Sequence, residues 1–124
     1  MITENYGPVW VIAQQAKGEV QAVSLQLIGR ARKLADELGV SVGVILMGDQ
    51  IQDLAPRLFA AGADTVYLGD APQLANYQPE LYTEMIDRLA EEKQPGIMLL
   101  GSTFMGRELA PLVAARLETG LTAH

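Results

Sequence analysis

The chain has 124 residues, room for one domain and one hydrophobic core but not two. Fifteen acidic against nine basic residues give a formal charge of −6, which repels phosphate backbones at long range and speaks against a nucleic-acid partner. Cysteine is absent, which excludes disulfides, thiolate zinc sites and Cys-ligated iron–sulfur clusters.

The opening Met1-Ile2-Thr3-Glu4-Asn5 has no charged-then-apolar secretory pattern. Val9-Trp10-Val11-Ile12-Ala13 is then a continuous apolar run bounded by Pro8 and Gln14, too short for a helix. It reads as a strand buried on both faces. Gln15 to Glu19 reads as a polar loop around Gly18. From Ser24 the apolar residues Leu27, Ile28, Ala31, Leu34, Ala35 and Leu38 fall on one helical face. Ser24 is the expected N-cap and Gly39 the expected stop.

Val40 to Met47 is a second expected strand, ended by Gly48. Asp53 is placed to cap a short helix that runs through Ala61 and stops at Gly62. Thr65 to Leu68 is a third strand, closed by Gly69-Asp70, and 71–78 is a loop. Pro79 suits the first turn of a helix, because its missing N–H would be unpaired there anyway. Leu81, Met85, Ile86 and Leu89 line the inner face of that helix. Gln94-Pro95-Gly96 breaks it, and Ile97 to Leu100 is the fourth strand. The turn Gly101 to Gly106 leads into a last helix with Leu109, Val113, Ala114 and Leu117 on one side. Leu121-Thr122-Ala123 has the character of a fifth strand.

Short strands alternating with helices predict an α/β fold: a three-layer, doubly wound, mostly parallel sheet with helices on both faces. With 49% hydrophobic and only 6% aromatic residues, its core is built from Leu, Val, Ile, Ala and Met. No apolar run approaches the ~20 residues of a spanning helix, so no membrane partner is expected. A reducing, cytoplasmic setting fits the composition.

Ligands of open α/β sheets bind outside the carboxyl ends of the strands. The loop of most interest there is Gly101-Ser102-Thr103-Phe104-Met105-Gly106-Arg107. It offers small and hydroxyl residues before a helix, whose first N–H groups favour an anion, and Arg107 adds a cation suited to phosphate or carboxylate. The plainer alternative is that Ser102 or Thr103 caps the helix, Gly106 permits the turn and Arg107 is a surface side chain. The loop matches neither a Walker A nor the dinucleotide fingerprint.

Asp49, Asp53, Asp64 and Asp70 sit near turns, where carboxylates usually cap helices and loops. Trp10 reads as core or interface, and Tyr67, Tyr77 and Tyr82 form no evident cage. His124, the single histidine, reads as solvated or tag-derived. With no nucleophile–base pair, acid–base couple or metal constellation, the residues give no catalytic site and no metal site.

Four stretches in order carry a resemblance: VWVIAQ, LQLIGRARKLADELG, AAGADTVYLGDAPQLANYQPE and GSTFMGRELAPLVAARLETGLTA. They resemble the amino-terminal domain of electron transfer flavoprotein alpha subunits, across nearly the whole chain. The resemblance implies a nucleotide-binding, adenine nucleotide alpha hydrolase-like form of the α/β fold. It implies that residues 1–124 are a single amino-terminal domain, with the carboxy-terminal FAD domain lying outside it. FAD is then expected in the full-length protein and not on this domain alone. The expected partner is the beta subunit, which carries AMP, or a second FAD in bifurcating forms. Acyl-CoA or other dehydrogenases engage through the assembled complex.

By the same resemblance, Gly101, Ser102, Thr103, Gly106 and Arg107 are the vestige of the beta subunit's nucleotide loop. The domain itself serves as scaffold and docking surface, and when isolated it is expected to self-associate through the surface its partner would cover. Pro111 conflicts with an unbroken last helix, which implies a late helix start or a kink. The alternative reading is a stand-alone AMP- or ATP-binding module related to universal stress proteins.

Overall fold

The computed structural model describes residues 7–101, 104–117 and 122–123. Val9–Ile12 forms β1, fully buried as its apolar run requires. Gln15–Ala16 (β2) and Glu19–Val20 (β3) follow, then the helix Ala22–Leu38 (α1). Val42–Gly48 is β4, Ala55–Ala61 is α2 and Thr65–Asp70 is β5. Pro79–Lys93 forms α3 with Pro79 in its first turn, Ile97–Leu100 forms β6, Phe104–Leu117 forms α4, and Thr122–Ala123 is β7.

The main sheet has the order β5-β4-β1-β6-β7, and every neighbouring pair is parallel. The alternation of side chains along β1 and β4 divides the core between the two faces. Val9, Val11, Val42, Val44 and Leu46 pack with Leu27, Ile28 and Ala31 of α1 and Leu58 of α2. Trp10, Ile12, Ile45 and Met47 pack with Tyr82, Ile86 and Ala90 of α3 and Leu109 of α4. Each such large side chain, taken out of water, contributes about 1.5–3 kcal/mol to folding. This is the expected three-layer, doubly wound arrangement.

The helix stops are set by glycine. Gly39 takes φ 72°, where its N–H bonds the Ala35 carbonyl, and Gly62 takes φ 132° after α2. Left-handed backbone of this kind costs an L side chain energy and costs glycine little.

Several local expectations are corrected. Ser24 is not the N-cap of α1: the helix starts at Ala22 after Gln21, and the buried Ser24 hydroxyl is used elsewhere. Asp53 does not cap α2; it lies in a 3-10 turn, Gln52–Leu54, and Leu54 precedes the helix with no side-chain cap. Gln15 to Glu19 is a hairpin instead of a plain loop, with Lys17 at φ 54° and Gly18 at φ 79°. Positive φ at both turn positions is what a tight two-residue hairpin demands. The last helix begins at Phe104, so Gly106 is helical and the turn before it is shorter than expected. Pro111 lies inside that helix, which rules out a late start. The side chains of Val113, Ala114 and Leu117, the segment 1–6, and Leu121 and His124 lie outside the described residues.

Candidate functional site

The chain leaves β1 toward β4 on one side and reaches β6 on the other only after β5. The sheet's topological switch point is therefore the gap between β1 and β6, the usual ligand position in such folds. Ala13 and Gln14 lie at one lip and Gly101 at the other.

Side chains of this chain crowd the position. Gln14 is buried, its N–H donates to Ser24 Oγ at 2.7 Å, and its carbonyl accepts from the Gln21 N–H at 2.9 Å. These two bonds pin the base of the β2–β3 hairpin to the first turn of α1. A Cβ at Gly101 would lie 3.2 Å from Val23 Cγ2 and 3.7 Å from Gln14 Nε2. At the end of β4, a Cβ on Gly48 would meet Gln15 Nε2 at 2.7 Å. Gln14 and Val23 thus approach Gly101 at the switch point, while Gln15 approaches Gly48 at the end of β4.

The candidate loop is only partly brought to this place. Gly101 is buried at the lip, Ser102 and Thr103 lie outside the described residues, and Gly106 and Arg107 belong to the first turns of α4, with Arg107 exposed. The four aspartates do not all converge: Asp53 and Asp70 line one small cavity with Gln50 and Gln52, away from Asp64. The Asp70 carboxylate accepts from the Gln50 N–H (2.6 Å) and the Ile51 N–H (3.3 Å), holding the turn after β4, where Gln50 has φ 57°. Asp64 works at the opposite end of the sheet: it accepts from the Val42 N–H and from Arg32, each at 2.8 Å. Arg32 also reaches Asp36 and the Gly62 carbonyl. Among the described residues no three His, Asp or Glu side chains could share a metal ion.

Asp64 is a stability device. The Val42 N–H first, and the Arg32 guanidinium second, hold its carboxyl below the ordinary 3.8. A depressed carboxyl stabilises the fold above its unfolded pKa and loses that contribution as pH falls through the folded one. Asp64→Asn is therefore expected to flatten the acid limb of stability below the ordinary value, measured by denaturant melts across acidic pH.

Tyr77 titrates at the other extreme. Its hydroxyl is buried beside α4. Burial, and then the nearby Glu108 carboxylate of α4, push it up to about 12. An acid with a raised pKa contributes stability below its unfolded value of 10 and loses it as pH climbs to the folded one. Tyr77→Phe should remove that alkaline loss, and the raised pKa itself should be visible in the unsubstituted protein. Tyrosinate absorbance and melts in alkaline buffer check both. The Tyr77 ring packs edge-on against Tyr82, with centroids 5.1 Å apart, and the Tyr82 hydroxyl donates to the Leu74 carbonyl at 2.9 Å. Tyr77 and Tyr82 thus meet at the start of α3, while Tyr67 of β5 packs against Trp10 instead.

A groove of about 600 Å3 lies between α3 and the outer strand β5, lined by Ile45, Tyr67, Leu68, Met85 and Leu89 with Arg88 and Glu92 at its rim. Among the described residues no helix is long and apolar enough to cross a membrane.

Residues 9–124 match the electron transfer flavoprotein domain. The chain belongs to that family. It is 46% identical over 119 residues to the electron transfer flavoprotein subunit alpha of Thermoanaerobacterium thermosaccharolyticum, covering 96% of this chain and 36% of that protein. It is 47% identical over 119 residues to Protein FixB of Clostridium saccharobutylicum, covering 96% of this chain and 35% of that one. The electron transfer flavoprotein domain described here therefore spans about a third of the length of the relatives it matches, and it corresponds to part of an alpha subunit. In fold it is similar to the universal stress protein from Archaeoglobus fulgidus solved in complex with dAMP. That likeness has a TM-score of 0.63 at 18% identity and covers 95% of this chain and 97% of that one.

The sequence offered no sign of how this electron transfer flavoprotein domain arranges its switch point. Gln14, Gln15 and Val23 are ordinary polar and apolar residues in a short loop and a helix start. Only the strand register brings Gln15 against Gly48. The one available signal was the string of small residues at the carboxyl ends of strands, Gly48 and Gly101, which marks close approach without naming what approaches.

Proposed function

We propose that this domain is the structural platform of an electron transfer flavoprotein alpha subunit. On this reading it docks the beta subunit and holds no flavin itself. The FAD is carried by another part of the full-length protein, which passes electrons from dehydrogenases to an acceptor in the cytoplasm as a carrier and not as a catalyst. The observation that supports it is the close approach of Gln14 and Val23 to Gly101 at the switch point. At that position, where an α/β sheet usually takes a nucleotide, a Cβ on Gly101 would lie 3.2 Å from Val23 Cγ2 and 3.7 Å from Gln14 Nε2.

The second reading is an AMP- or ATP-binding module; the universal stress protein solved with dAMP shares this fold, and that likeness speaks for the fold alone. Isothermal titration with AMP, ADP and ATP separates the two. The platform reading expects no saturable heat from any of them. Micromolar binding abolished by Arg107→Ala would replace it with the second. Co-expression with a beta subunit tests docking, and a beta subunit that elutes separately from the alpha subunit at every salt concentration would contradict it.

A further inference from the structure

We draw no further inference here: the strongest candidate, the apolar groove between α3 and the outer strand β5, carries nothing because nothing in the structure shows what covers it.

Discussion

Trp10→Ala is expected to destabilise the domain by about 3–5 kcal/mol, a large share of the 5–15 kcal/mol that holds a typical domain folded. The indole is fully buried in β1. It lies across Gly43 of β4 toward Tyr67 of β5, with ring centroids 5.5 Å apart and planes tilted by 51°. One side chain thus spans three strands, and its removal leaves a cavity that the surrounding sheet cannot close by a rotamer change.

Gly43 is the reverse of the same contact. A Cβ there would stand 2.8 Å from both Trp10 Cδ1 and Nε1, and 3.3 Å from Tyr67 Cε2. A ring packed on all sides cannot retreat by the needed half-ångström or more without shifting the strand. Gly43→Ala alone is therefore expected to cost about 1–3 kcal/mol by overpacking. In the Trp10→Ala background the added methyl enters vacated space, and its cost should vanish. Urea melts of the two single variants and the double variant form the cycle. Simple additivity would show that the indole does not dictate glycine at position 43.

Ser24→Ala is expected to cost about 1–3 kcal/mol, the penalty for leaving a buried donor unpaired. The Ser24 hydroxyl accepts from the Gln14 N–H at 2.7 Å in a place that water does not reach. Losing it frees the end of β1 from the first turn of α1 and loosens the base of the hairpin. Ser24→Thr keeps the oxygen and should retain more of the stability than Ala does, if the extra methyl is accommodated. Hydrogen exchange at the Gln14 amide separates a local effect from a global one. An Ala variant with unchanged melts and unchanged Gln14 protection would contradict the assignment.

The same serine shows where sequence reading succeeds and fails. Buried strands were legible because β1 and β4 are apolar at every position, as a strand covered on both faces must be. Helix ends were legible at Gly39 and Gly62, where left-handed backbone asks for glycine. Ser24 was misassigned because a serine ahead of an apolar stripe is a sound capping signal. Its hydroxyl went instead to Gln14, a tertiary bond that no local pattern encodes. The hairpin after β1 escaped notice because its strands are two residues long, too short for any periodicity, and the turn pair Lys17-Gly18 was its one mark.

The candidate site was legible in position and not in content. The carboxyl ends of the strands follow from α/β topology, and Gly101 follows β6 at that end. Gly106 looked like a turn residue, since glycine near a helix start usually is one, yet α4 already runs through it. The approach of Gln14 and Val23 to Gly101, and of Gln15 to Gly48, depends on how β1, β4 and β6 align, which is a property of the assembled sheet.

The flavin content of this chain, purified alone, tests the platform reading most directly. Incubation with FAD followed by extensive dialysis should return a colourless protein with no flavin absorbance. Stoichiometric flavin that survives the dialysis would mean the domain grips the cofactor itself, and the reading would be wrong.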